Sequence, residues 1–462
     1  MLRAVFFLML LGLPLLPAET KPRVLVLTDI SNEPDDEESL VRFLLYANEF
    51  EVEGLVATTS VWLRDRIRPD IIRETVAAYG QVRANLLLHA PGYPETEKLL
   101  GVIKSGQTGF GMEAVGEGRS TEGSKWIIEV VDRPDPRPVW VPVWGGANTL
   151  AQALWDVKYS RSPEELEKFV AKLRVYTISD QDDASRWLRV TFPGLFFIGS
   201  PTDVLKPEYW RSTWSGIGGD RHYRNAPGEN FHLVDNPWLK ENIIENHGPL
   251  GARYPLVAYI MEGDTPSFLN LIPNGLAGDV SPSYGGWGGR YELRRGYGET
   301  RPIWTDARDT LRLSDNREHT SNQATIWRWR EAYQNDFAAR MDWCVQPRNA
   351  ANHNPAAVLN GIPGRAPVEA IAKAGAVLAL SALGSTDPDG NRLTYRWFVY
   401  PEAGTLREAA SARVEKHDSA EAQLHLPAKV QRGGTVHVIL EVTDSGTPRL
   451  TSYRRLIVQV TP

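Results

Sequence analysis

Residues 23–40 read RVLVLTDISNEPDDEESL, and the rest of the chain is organised around them. Val24 to Leu27 is an unbroken apolar run, the pattern of a strand buried on both faces of a parallel sheet. It stops at Thr28-Asp29. Pro34-Asp35-Asp36-Glu37-Glu38 then has the composition of a helix start, because Pro suits the first turn and acids suit the positive end of the helix dipole. Leu40, Val41, Leu44 and Leu45 follow at helical spacing. Asp29, Asp35 and Asp36 therefore converge where a strand ends and a helix begins, which is where open α/β sheets bind ligands.

Working outward, the alternation continues. Glu51 to Thr59 reads as a strand, Pro69 to Val82 as a helix, Lys125 to Val131 as a helix and Val139 to Val143 as a strand. Trp144-Gly-Gly-Ala-Asn148 leads into a helix over Leu150 to Leu154. Ser162-Pro-Glu-Glu165 is a capping box. Arg174 to Ile178 is a strand that ends in Ser179-Asp180-Gln-Asp182-Asp183. This pattern predicts an α/β domain with a doubly wound, mostly parallel sheet over residues 21–345. Residues 200–320 are rich in Gly, Pro, Trp and Tyr and predict long loops around a strand at Leu256 to Met261. Thr320 to Met341 predicts a closing helix. Residues 346–372 read as a linker, and 373–462 as a small all-β sandwich of immunoglobulin type with Trp397 in its core.

The 462 residues are 42% hydrophobic and include 15 Trp, enough for two domains with sizeable cores. A net charge of −6 without a basic stripe argues against nucleic acid or an anionic membrane as partner. Residues 1–18 have a short positive start, an apolar core and a small residue, Ala18, at the end. They read as a signal peptide, with no later stretch long enough to span a bilayer. Cys344 is the sole cysteine, so a protein of the periplasm or cell exterior is expected to rely on its core rather than on disulfides.

The residues also bear on chemistry. A carboxylate at the end of a buried strand, as Asp29 is, needs a partner. Several carboxylates on one mouth suit a hard cation such as Ca²⁺, although Asp35 and Asp36 alone are also explained as helix-start acids. Glu37 and Glu38 read as decoration of that helix start. Asp180, Asp182 and Asp183 lie at another strand end, either reaching the same mouth or capping a helix. Asn148 follows the Gly-Gly turn, as a ligand contact or a cap. Trp287, on the Gly-rich loop Tyr284 to Tyr291, suits stacking on a sugar ring, with Tyr209, Trp210 and Trp214 as further candidates. No phosphate-binding Gly loop follows the first strand, no nucleophile elbow is present, and Ser31 stands where an aspartyl phosphatase would carry a second acid.

The ordered set Thr28-Asp29, Asp35-Asp36, Leu55-Val-Ala-Thr-Thr59, Trp144-Gly-Gly-Ala-Asn148 and Gly263-Asp264 resembles the motifs of the nucleoside hydrolases. Val175 to Asp183, Met261 to Phe268 and Leu393 to Phe398 resemble more closely a secreted, cellulose-binding branch of that superfamily with an appended sandwich. The resemblance implies one Ca²⁺ held by Asp29, Asp36, Asp264 and the Trp144 carbonyl, with Asp35 on sugar hydroxyls and Asp29 as the base that activates water. Three departures stand out. The loop Ile30 to Pro34 is two residues longer, Leu27 replaces an Asp, and Gly263 replaces a His. The expectation is a calcium-dependent hydrolase of N- or O-glycosidic bonds. The alternative is a carbohydrate-binding protein without catalysis, and a true nucleoside hydrolase ranks third. The oligomeric state is not legible.

Overall fold

The computed structural model describes residues 20–218, 228, 230–314 and 316–462, so the expected signal peptide lies outside the described residues. Eight strands form the main sheet: β1 (Arg23–Thr28), β2 (Glu51–Ala57), β3 (Ile103–Ser105), β4 (Val139–Val143), β5 (Leu173–Ser179), β6 (Phe196–Ser200), β7 (Tyr291–Arg294) and β8 (Ile303–Asp306). Their order is β3-β2-β1-β4-β5-β6-β8-β7. All neighbours run parallel except the β7–β8 hairpin at one edge. The chain leaves β1 toward β2 and β3, then returns to place β4 on the other side of β1. The crevice between β1 and β4 is therefore the topological switch point.

Both faces of the sheet are covered, which explains the unbroken apolar strands. Val24 and Val26 pack with α1 (Asp35–Leu45), α2 (Pro69–His89) and the closing helix Arg330–Asp342. Leu25 and Leu27 point the other way, against Ile127, Leu150, Leu154, Phe169 and Leu188. Each such fully buried side chain contributes about 1.5–3 kcal/mol. The capping box at Ser162 forms as expected, with Glu165 N donating to Ser162 Oγ at 3.3 Å and Ser162 N to Glu165 Oε2 at 2.9 Å.

Three expectations are corrected. Leu256 to Met261 is a loop, not a strand: Leu256 and Tyr259 are half exposed, and the edge of β6 is taken by β8. Thr320 to Met341 is not one helix. Its first residues close the β9 (Asp309–Arg312) and β10 (Glu318–Ser321) hairpin, and the rest divides into Ala324–Trp327 and Arg330–Asp342. The stretch read as a linker ends in a strand, β11 (Val368–Lys373), whose alternating half-buried residues pair in parallel with the last strand, β17 (Thr451–Thr461).

The C-terminal domain is a sandwich. One sheet has the order β11-β17-β16-β13 and the other β12-β15-β14, with β12 (Val377–Ser381), β13 (Thr394–Val399), β14 (Arg413–Glu415), β15 (Glu421–His425) and β16 (Gly434–Thr443). Trp397 is buried in its core and donates Nε1–H to the Ser419 carbonyl at 2.9 Å. The sandwich docks on the α/β domain through Arg455, which donates to the carbonyls of Leu276, Tyr284 and Gly285, and through Tyr400 OH on Asp309. Among the described residues no helix is long and apolar enough to cross a membrane.

Candidate metal and sugar site

β1 ends one residue before Asp29, and β4 ends one residue before Trp144, so both stand at the switch-point crevice. A pocket there is lined by Asp29, Glu33, Asp35, Asp36 and Asp264, with Trp62, Tyr209 and Trp214 along one wall. Asn32, Trp144, Ile178, Gln181 and Ile260 complete it. The local sequence explains the approach. A Cβ on Gly145 would lie 2.4 Å from Asp29 Oδ1, so only glycine lets the chain after β4 pass the carboxylate.

Asp29 accepts a hydrogen bond from Ser60 Oγ, and Asp36 accepts one from Thr28 Oγ1. Thr28 Oγ1 in turn accepts from Ile30 N at 3.1 Å. Asp35, Asp36 and Asp264 each offer a carboxylate oxygen within 4.8 Å of the others, with Asp29 beside them. The trio that lies closest together thus contains Asp35, not the expected Asp29. Among the described residues none of the four carboxylates has a Lys, Arg or His ion-pair partner, and Asp264 Oδ2 is buried without a hydrogen bond. Burial pushes the Asp29 carboxyl up to about 6. Asp35, Asp36 and Asp264 are raised well above their ordinary value, first by burial and then by neighbouring carboxylates: Glu33 and Asp29 for Asp35, Asp29 and Asp35 for Asp36, and Asp36, Asp35 and Asp29 for Asp264.

Four carboxylates, of which Asp29, Asp36 and Asp264 are buried and Asp35 is partly buried, have no paired cation among the described residues, and one keeps an orphaned oxygen. Such a group meets the needs of a hard divalent cation, which takes oxygen ligands. Trp144 and Gln181 both line the pocket, and the Trp144 carbonyl is a further oxygen donor there. It accepts from Gln181 Nε2 at 2.6 Å and has a second lone pair for an ion. The residues present therefore fit calcium.

Behind the site, Glu38 is fully buried, contrary to its reading as helix-start decoration. Its Oε2 accepts from Glu262 N at 2.8 Å and so fixes the loop that carries Asp264. Trp144 Nε1 donates to Ser267 Oγ at 2.9 Å, and Ser267 Oγ donates to the Asp264 carbonyl at 2.6 Å. Leu27 sits in the core beneath the sheet and brings nothing to the pocket.

Four other expected contacts lie elsewhere. Asn148 is spent on Thr58, Thr59 and the Gly109 carbonyl, neither lining the pocket nor capping its helix with its side chain. Asp182, pushed up to about 7 by burial, accepts from the backbone N–H groups of Asn148, Ala184 and Ser185. Asp180 forms a two-pronged ion pair with Arg189, at 2.7 and 2.8 Å. Trp287 is buried against Tyr453 of the sandwich, ring to ring at 6.4 Å. Strand-end position alone could not separate these residues from Asp29, because their partners come from other segments. The sequence reading missed Glu33, Asn32, Gln181, Ser60 and Trp62. For Trp62 a signal existed, an aromatic just beyond the C-end of β2.

This geometry defines an α/β protein of the nucleoside hydrolase-like fold with an acidic pocket at its switch point. The chain belongs to the family described as cellulose-binding Sde182, nucleoside hydrolase-like domain, which matches residues 23–291. The C-terminal domain of the cellulose-binding protein Sde0182 matches residues 377–460. A solved nucleoside hydrolase-related hypothetical protein from Saccharophagus degradans, described as associated with carbohydrate metabolism, is 36% identical. That alignment covers 96% of this chain and 100% of the other, with a TM-score of 0.80. The type III effector XopQ, solved with adenosine diphosphate ribose, is 13% identical over 71% of this chain and 95% of its own, with a TM-score of 0.34. No curated protein matches the chain.

Proposed function

We propose that the pocket binds a sugar unit through a calcium ion and hydrolyses the glycosidic bond at that unit. The observation that carries this reading is the group Asp29, Asp35, Asp36 and Asp264, gathered in one pocket with no Lys, Arg or His paired to them among the described residues and with Asp264 Oδ2 buried and unpartnered. Asp36, Asp264 and the Trp144 carbonyl would hold the ion, joined by Asp29 or Asp35. When bound, calcium supplies a Lewis acid that gathers sugar hydroxyls and makes a water more acidic. Asp29, held by Ser60, is placed to take a proton from a water in the pocket. Asp35, on the first turn of α1, is placed to accept hydrogen bonds from sugar hydroxyls. Membership of a family described as cellulose-binding supports a carbohydrate ligand. The apolar leader at 1–18 fits action outside the cytoplasm.

A second reading, sugar binding without turnover, draws on Gly263, which brings no side chain to protonate a leaving group. One experiment separates the two. The full chain is incubated with cello-oligosaccharides, aryl glycosides and nucleosides, with calcium or with chelator. Turnover that is lost in chelator and in Asp29→Ala supports hydrolysis. Binding that survives Asp29→Ala without turnover of any compound leaves only the second reading. If calcium does not raise the melting temperature, the metal assignment fails for both.

A further inference from the structure

Trp62 is unlike the other tryptophans of the pocket. Trp144 is 0% exposed and Trp214 3%, both spent on the core, whereas Trp62 is 45% exposed at the mouth. Core packing therefore does not account for it. Nor is it loose. Its backbone N–H donates to Ser60 Oγ at 3.0 Å, and the same hydroxyl donates to Asp29 on the pocket floor. Its indole Nε1 donates to Tyr209 OH at 3.2 Å, and its ring meets Tyr209 edge-on at 6.5 Å. Tyr209 packs edge-on against Trp214 at 5.2 Å. The indole is fixed at its backbone and at its polar edge, while much of its surface stays open to solvent beside the carboxylates.

A held, exposed aromatic surface next to a polar pocket suits the apolar C–H face of a sugar ring, and ordering it costs little because it is already ordered. We propose that Trp62 is a stacking platform for the sugar adjoining the unit seated among Asp29, Asp35 and Asp36, so that the ligand is the end of a linked chain of sugars. This rests on the sugar-binding reading of the pocket.

The test is calorimetric titration of the full, calcium-loaded chain with glucose, cellobiose and cellohexaose. Wild type is expected to bind the oligosaccharides more tightly than glucose. Trp62→Ala should lower affinity for cellobiose and cellohexaose roughly tenfold, the scale of one aromatic stacking contact, and leave glucose unchanged. Trp62→Tyr should recover part of the loss. Trp210→Ala should bind as wild type, since Trp210 is also half exposed but does not line the pocket and has the Arg211 guanidinium against its ring. An unchanged calcium-induced rise in melting temperature shows that Trp62→Ala is folded and keeps its ion site. Equal binding of cellohexaose by wild type and Trp62→Ala overturns the platform, as does wild type that binds glucose as tightly as cellohexaose. Wild type that binds none of the three sugars overturns the sugar-binding reading itself, and the platform with it.

Discussion

Arg42 and Glu262, 220 positions apart in the chain, form a fully buried ion pair, Nε to Oε2 at 2.5 Å and a second guanidinium nitrogen to Oε1 at 3.0 Å. Arg42 belongs to α1, which carries Asp35 and Asp36, and Glu262 stands two residues before Asp264. The pair therefore clamps the two halves of the acidic pocket together. Tyr254 and Thr265 complete the Glu262 carboxylate, each at 2.8 Å, and the Phe337 ring lies 3.9 Å from the guanidinium carbon. Removing one partner leaves a buried charge alone. Glu262→Ala is expected to cost about 3–5 kcal/mol in urea unfolding and to weaken calcium binding, although Glu262 does not line the pocket.

Removing a carboxylate from the pocket should have the opposite sign. The Asp264 carboxyl is raised well above its ordinary value of 3.8 by burial and by Asp36, Asp35 and Asp29. A raised acid contributes stability at low pH that is lost as pH climbs above the unfolded value. In chelator, wild type should therefore become less stable from about pH 4 toward neutrality, by up to about 1.4 kcal/mol per pH unit for each such group. Asp264→Asn should flatten that slope, stabilise the metal-free protein near pH 7, and abolish stabilisation by calcium. Chelated unfolding curves across pH check all three.

Asp180 provides a contrast. Arg189, already paired with it, also meets Glu299 at 2.8 Å, so the three form a buried structural network beside the pocket rather than in it. Asp180→Ala is expected to cost about 3 kcal/mol or more. Calcium stabilisation and cellohexaose affinity should be unchanged in the folded fraction. A selective loss of sugar affinity would return Asp180 to the binding site.

These cases show what was legible beforehand. The sheet could be read because Val24–Leu27 and Val139–Val143 are apolar on both faces, and because helix starts such as Ser162-Pro163 are local chemistry. Asp29, Asp36 and Asp264 could be read as a set only through their resemblance to known motifs. Asp180 and Trp287 were misplaced because Arg189 and Tyr453, which consume them, are tertiary partners. Leu256 to Met261 has strand composition, but the place beside β6 is taken by β8.

At the domain junction, His437 is buried beside Arg455, whose guanidinium donates to Nδ1 at 3.0 Å. Burial, and then the Arg455 charge, pull the imidazole down from 6.5 to about 3. A lowered base in the folded state means that unfolding takes up a proton between those two values. Stability should therefore fall as pH drops from about 6.5 toward 3, with a slope of up to about 1.4 kcal/mol per pH unit. His437→Gln should remove that acid slope, seen as a smaller loss of melting temperature between pH 6.5 and 4. An unchanged slope would show that acid acts on the chain elsewhere.

Gly263 stands beside Asp264 where the resembling hydrolases carry a His, and the structure gives a reason for the smaller residue. A Cβ there would lie 2.8 Å from Asp35 Oδ2 and 3.1 Å from the Trp214 ring. Asp35 leaves its place if any side chain is added, and Trp214 is held on Ser179 at 3.1 Å and so yields little. Gly263→Ala is therefore expected to cost about 1–3 kcal/mol, the usual range for overpacking, and to weaken sugar binding more than calcium binding. Gly263→His should do the same more strongly without creating nucleoside turnover, because the ring would have to displace Asp35, the carboxylate that the proposed function assigns to sugar hydroxyls. Unfolding curves, calcium-induced thermal shifts and inosine hydrolysis by the two variants measure each part. A Gly263→His protein that hydrolyses inosine and keeps the stability of the parent would show that the space beside Asp35 is larger than its 2.8 Å approach implies.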